Sequence, residues 1–158
     1  GVVEGGVRNN IIPDQVYLEG TIRNFDMDNR AKIFKHLATT AEMTAKASGA
    51  EADVHIHEGY PVTINNPELT RKMLPTMQRV AGADKVLVGD LVTGAEDFSF
   101  YALEVPGLFV FLGVTPPEQD ALKAPSNHSP YFYADEAAFK TGTELFINWV
   151  LDYANTSK

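Results

Sequence analysis

The chain has 158 residues, of which 44% are hydrophobic, 10% aromatic and 22% charged, enough apolar material for one ordinary domain with a core. Its formal net charge of −8 disfavours nucleic acid and anionic membrane as partners, and no apolar run reaches the ~20 residues that span a bilayer. There is no cysteine, which excludes disulfides and thiolate metal ligands and leaves the redox compartment open.

The opening Gly1-Val2-Val3-Glu4-Gly5-Gly6 reads as the inside of a strand, with no initiator methionine and no signal-peptide pattern. The expectation is a piece of a longer protein, or one whose upstream part was removed, with its compartment undecided between cytoplasm and periplasm. Gly5 to Asp14 is turn-rich, with Gly-Gly and Pro-Asp supplying the special dihedrals. Gln15 to Arg23 then alternates, Val16, Leu18, Gly20 and Ile22 against Tyr17, Glu19, Thr21 and Arg23, which predicts a half-buried antiparallel strand. Asp26 or Asp28 caps a helix that runs to about Ser48 and stops at Gly49, with Ile33, Phe34, Leu37, Ala38, Ala41 and Ala45 as its apolar stripe.

A second alternating strand follows, with Val54 and Ile56 facing one way and His55 and His57 the other. Gly59-Tyr60-Pro61 and Asn65-Asn66-Pro67 are breakers, and a domain boundary is expected between about Gly59 and Asn66. Asn66 before Pro67 is an N-cap followed by proline in the first turn of a helix that ends near Ala81-Gly82, with Leu69, Met73, Met77 and Val80 on its core side. Val86-Leu87-Val88 reads as a short buried strand, Gly94 to Tyr101 as a turn into a short helix, and Leu108 to Leu112 as a strand covered on both faces. A last helix from Asp135 to Ala154 is expected to bury Ala138, Phe139, Gly142, Leu145, Phe146, Trp149 and Tyr153. The first ~60 residues thus follow an α+β pattern and the remainder an α/β pattern, and neither half carries enough elements to stand alone.

The candidate chemistry centres on His128, in Ala124-Pro125-Ser126-Asn127-His128-Ser129-Pro130-Tyr131-Phe132. An imidazole on a loop between a buried strand and a helix can hold zinc or move a proton, although a loop histidine is commonly just solvated. Glu96 and Asp97 follow a glycine turn and precede a helix, where carboxylates also serve as caps. Arg23 ends a strand, and its guanidinium has the two-pronged geometry that fits a carboxylate. Asn10 can donate its amide to an oxyanion or a carboxylate, or close an Asx turn. His55 and His57 share a strand face and can present two imidazoles to zinc or copper, with no third ligand at hand in the sequence. His36, beside Lys35 in mid-helix, reads as surface. No phosphate loop, dinucleotide fingerprint or nucleophile elbow is present.

Taken in order, three motifs resemble those of the metal-dependent amidohydrolases of the aminoacylase and carboxypeptidase superfamily. They are Gly6 to Asp14 running into Leu18-Glu19-Gly20-Thr21-Ile22-Arg23, then Gly94-Ala95-Glu96-Asp97-Phe98, then Asn127-His128-Ser129-Pro130 with the terminal helix. The branch that is most similar contains hippurate hydrolases, N-acyl-amino-acid hydrolases, auxin-conjugate hydrolases and acetyl-diaminopimelate deacetylases. The resemblance implies an α/β zinc-peptidase-like catalytic part plus an α+β lid that pairs with a second subunit, both incomplete in this chain. Residues 1–62 would be the latter part of the lid and residues 63–158 the C-terminal part of the catalytic domain.

The resemblance implies two divalent metals per intact subunit, zinc or else manganese or cobalt, with His128 as a metal ligand. Asn10 and Arg23 would point from the lid toward the scissile carbonyl or the substrate carboxylate. Glu96 is the candidate catalytic carboxylate, lining the site behind a metal ligand or against the substrate. The implied reaction is hydrolysis of an N-acyl amino acid or small peptide by a metal-acidified water, with a glutamate as general base. That glutamate and the other metal ligands match nothing in this sequence, so the chain alone is expected to be inactive and metal-free. The alternative is a non-catalytic dimerisation or interaction module built from the lid-like elements.

Overall fold

The computed structural model describes residues 1–155. Contacts divide them into two units, one made of Gly1–Val62 with Thr93–Ala95, the other of Thr63–Val92 and the chain from Glu96 on.

In the first unit, β1 (Val2–Gly5) and β2 (Val16–Glu19) pair antiparallel, Val3 opposite Leu18 and Gly5 opposite Val16. Gly6 enters the connecting loop with φ of 79°, a backbone state that a side chain resists. The strand predicted to run to Arg23 pairs only as far as Glu19, which lies opposite Val2 at the start of β1, and all four residues of β2 are exposed. The half-buried face expected of it is absent because a two-stranded ribbon carries no second layer. The alternation itself is real: Tyr17 and Glu19 share a face, and the Tyr17 hydroxyl donates to the Glu19 carboxylate at 2.7 Å. That hydrogen bond, with slight burial and the carboxylate charge, holds the phenol above its ordinary pKa.

Helix α1 (Met27–Ala47) starts where Asp26 accepts the Asn29 N–H at 2.7 Å. It ends in a Schellman pattern: the Ala50 N–H returns to the Ala45 carbonyl, the Gly49 N–H to that of Lys46, and Gly49 takes φ of 72°. None of its residues is fully buried. Arg30 ties it to the following segment, bonding the Glu58 carboxylate at 3.0 Å and the Tyr60 carbonyl at 3.4 Å, while its guanidinium lies 5.6 Å from the Phe34 ring centroid. In that segment Ala52, Val54 and Ile56 are half-buried and Asp53, His55 and His57 exposed, the period of two that was predicted. No described segment pairs with it, so it is extended chain and not a strand.

In the second unit, α2 (Pro67–Ala81) begins as the Asn-Pro pair predicts, Asn66 accepting the Leu69 N–H at 2.9 Å. It continues through Pro75, which has no N–H to give the Arg71 carbonyl. Met73 is 3% exposed and Met77 7%, and they form the core with buried Thr76, while Leu69 and Val80 are half-buried. Helix α4 (Ala137–Asn155) packs on α2 and opens where Asp135 accepts the Ala137 N–H at 2.9 Å. The contact is clamped by a polar cluster. Thr76 and Arg79 of α2 each donate to one oxygen of Asp152 at 2.6 Å, and Arg79 also reaches the Asn148 amide oxygen at 2.9 Å. The predicted apolar face of α4 is not enclosed: Ala138, Gly142, Leu145 and Trp149 are half-buried, whereas Phe139, Phe146 and Tyr153 are exposed.

The stretch from Gly107 to Leu112 forms no ladder, but Asn65 substitutes for a neighbouring strand. Its side-chain amide donates to the Phe109 carbonyl at 2.8 Å and its oxygen accepts the Phe109 N–H at 2.7 Å. The Asn66 N–H adds a bond to the Gly107 carbonyl at 2.8 Å. Two glycines permit the close approaches around this stretch. A Cβ on Gly107 would meet the Phe98 ring at 2.9 Å, and one on Gly142 would meet Leu112 at the same distance. By contrast Val86-Leu87-Val88, predicted as a buried strand, has Leu87 81% exposed and finds no pairing partner among the described residues.

Two outcomes follow from these contacts. Asn65→Ala removes both bonds to Phe109, and urea unfolding should read a loss of about 1–3 kcal/mol, at roughly 1 kcal/mol for each bond. The Thr76 hydroxyl and the Arg79 guanidinium hold the Asp152 carboxyl below the usual carboxylate range. A depressed folded-state pKa stabilises above the unfolded value and loses that stabilisation as pH falls through the folded one. The Tm difference between the wild type and Asp152→Asn should therefore be full at neutral pH and close in acid below the carboxylate range.

Candidate functional site

Asn10 sits in the β1–β2 connection, in the turn in which the Ile11 N–H reaches the Arg8 carbonyl at 3.4 Å. The residue is exposed. Beside it the same connection encloses an open cavity of about 290 Å³, lined by Gly6, Val7 and the run from Ile11 to Gln15. A larger depression of about 640 Å³ lies along α1 against Asn24, Ile33 and Leu37 and holds none of the candidate residues.

Arg23 lies beyond β2 and is exposed, and its Nη1 donates to the main-chain carbonyl of Thr93 at 2.6 Å. The short distance is that of a charge-assisted bond. A guanidinium has five N–H donors in one plane, so the others stay available to a planar anion. Sequence reasoning singled out Arg23 but put it at the end of a strand, which stops at Glu19, and gave no sign of Thr93, because the partner is a backbone oxygen that any residue would supply.

Glu96 is half-buried and lies two residues before α3 (Phe98–Glu104). Its carbonyl accepts the Ser99 N–H at 3.1 Å and the Ser99 hydroxyl at 2.6 Å, and Ser99 is fully buried, so the turn is fixed from its main chain. The capping role open to the acidic pair is not the one it takes. Asp97 occupies the N-cap position with an αR backbone and makes no capping bond with its side chain. Ser99 is the residue that secures this turn, and a serine three places after the acid was the available sign.

His128 is exposed, inside a loop closed at its base by the Asp135 N–H to the Val114 carbonyl at 2.8 Å. The loop is built of successive turns. The Ser129 N–H bonds the Ser126 carbonyl at 2.8 Å, the Phe132 N–H bonds the Ser129 carbonyl at 3.0 Å, and the Ser129 hydroxyl accepts the Tyr131 N–H at 3.2 Å. The imidazole thus rides on a turn whose two flanks are hydrogen-bonded, while its ring side is open. Glu96 and His128 belong to one unit, Asn10 and Arg23 to the other.

Among the described residues no three or more of His, Asp and Glu gather as a metal site. A zinc centre takes about three protein ligands, so the side chains described do not by themselves make one. His55 is engaged otherwise, its Nε2 lying 3.0 Å from the Asp53 carboxylate, with both side chains exposed. No described helix is long and apolar enough to cross a membrane.

The sequence is 35% identical over 154 residues to thermostable carboxypeptidase 2 of Saccharolobus solfataricus, covering 97% of this chain and 38% of that protein. It is 31% identical over 153 residues to an N-acetyldiaminopimelate deacetylase of Leuconostoc mesenteroides, covering 94% of this chain and 38% of that one. A second such deacetylase, from Leuconostoc citreum, is 30% identical over 159 residues, with 100% of this chain and 39% of the relative covered. The chain thus spans under two fifths of the length of these relatives. No solved structure matches it. Residues 2–152 match the family described as peptidase family M20/M25/M40, and the chain belongs to that family.

Proposed function

We propose that this chain is the latter part of a metal-dependent hydrolase that cleaves the amide bond of N-acyl amino acids or small peptides. On this reading residues 1–62 are the latter part of a lid that pairs with a second copy. Residues 63–158 are the C-terminal part of the catalytic domain, and the chain by itself does not turn over substrate. The observation that carries the reading is the family match across residues 2–152, which takes in all four candidate side chains. Relatives named carboxypeptidase and N-acetyldiaminopimelate deacetylase support the substrate class. Both names describe an amide whose nitrogen side bears a free carboxylate.

Each residue then has a task that its chemistry suits. Arg23, with donors to spare beyond its bond to Thr93, pairs with that free carboxylate. Asn10, on an exposed turn, donates its amide to the carboxylate or to the scissile carbonyl oxygen. Glu96, half-buried on a turn held by Ser99, lines the site on the substrate side. His128 offers a neutral imidazole to a divalent cation, zinc or else manganese or cobalt. No three or more possible ligands gather among the described residues, so on this reading His128 needs ligands beyond those to complete a centre.

The test uses the gene-encoded polypeptide with an N-acyl amino acid and its carboxyl-amidated analogue. His128→Ala should lose bound metal and rate together, the rate by at least ~100-fold. Arg23→Ala should raise KM for the free acid about 10- to 100-fold, and raise that for the amidated analogue far less. Intact metal content and kinetics in the His128 variant would sink the assignment.

A further inference from the structure

The Arg23 bond to Thr93 does more than park a side chain. The chain from Thr63 to Val92 belongs to the second unit, as does the chain from Glu96 on, yet the three residues between them, Thr93–Ala95, belong to the first. This short strap leaves one unit and re-enters it directly at Glu96. A side-chain bond holds it in the first unit: Nη1 of Arg23 to the Thr93 carbonyl at 2.6 Å, across a sequence separation of 70 residues. The strap has few other means of being held. Thr93, Gly94 and Ala95 are all exposed, and a Cβ built on Gly94 meets nothing within 4 Å. A glycine without packing has the largest backbone entropy to lose, so a charge-assisted bond at its edge weighs heavily in whether the strap is ordered.

We propose that Arg23 is a positioning residue for the Thr93–Ala95 strap as well as a substrate-binding one. One guanidinium edge fixes the strap that leads into Glu96, and the remaining N–H groups receive the substrate carboxylate. This second role rests on the function proposed above; the first stands on the geometry alone.

Lysine separates the two roles. Its ammonium can give one bond to the Thr93 carbonyl but cannot present two parallel N–H groups to a carboxylate. In the gene-encoded polypeptide with ¹⁵N labels, relaxation order parameters at Gly94 and Ala95 should stand near 0.85, a rigid backbone, and fall below about 0.6 in Arg23→Ala. Arg23→Lys should restore them while KM for the N-acyl amino acid stays raised about tenfold or more. Order parameters that are unchanged in Arg23→Ala, or that Arg23→Lys does not recover, overturn the strap. A KM unchanged in both variants, with the order parameters behaving as stated, overturns the substrate role and leaves the strap standing.

Discussion

Every backbone N–H and C=O taken from water must find a partner, and extended chain can find one only in a neighbour. That constraint decides what this chain builds. β1 and β2 satisfy each other, and the helices satisfy themselves. The remaining extended stretches, around Val54, Val86 and Phe109, have no strand beside them among the described residues. The last is met by the side-chain amide of Asn65, which presents a donor and an acceptor to Phe109 as a strand backbone would. A side chain can bracket one residue; it cannot continue a ladder. The consequence is an apolar surface of unusual extent, with Leu87, Leu91, Phe111 and Phe146 all largely exposed.

Against that background the α2–α4 contact is where the second unit keeps its order. Its apolar part is small, essentially Met73 and Met77. The polar part is correspondingly specific, because Asp152 accepts from both Thr76 and Arg79, and Arg79 is held in turn by Asn148. Such a cluster fixes the register of two helices more narrowly than methionines do, since methionine adapts its shape and a carboxylate's acceptor directions do not. Gly142, one face further round α4, lets Leu112 approach, so the bracketed stretch and the helix pair meet at one point.

What could be read from the sequence divides along the same physical line. Local chemistry was legible. Asp26 and Asn66 cap where their side chains and the following turn demand it, Gly49 and Gly82 end helices with positive φ, and Met73 and Met77 face the core at helical spacing. Strands were legible only as patterns. The alternation of His55 and His57 against Val54 and Ile56 survives in their exposure, but pairing is a property of two segments, and one sequence window cannot say whether the second exists. The apolar face of α4 was likewise read correctly as a pattern and wrongly as buried, because burial depends on a covering layer. The candidate site divides in the same way. His128, Glu96, Asn10 and Arg23 are recognisable by type and order, while the Thr93 carbonyl that engages Arg23 has no signature in sequence.

Glu96 and His128 share a further property: each is set on main chain that is fixed by hydrogen bonds, while no bond to its carboxylate or imidazole is seen among the described residues. Ser99 grips the carbonyl of Glu96 rather than its carboxylate. The turns on either side of His128 bond through Ser126 and Ser129 and leave the imidazole exposed. Arg23 spends one donor on Thr93 and retains the rest. Stability does not demand a protein partner for such a group where water reaches it, whereas Arg79 and Asp152 are paired with each other. Holding the backbone and leaving the charged or coordinating end open is the arrangement suited to a group whose partner arrives later.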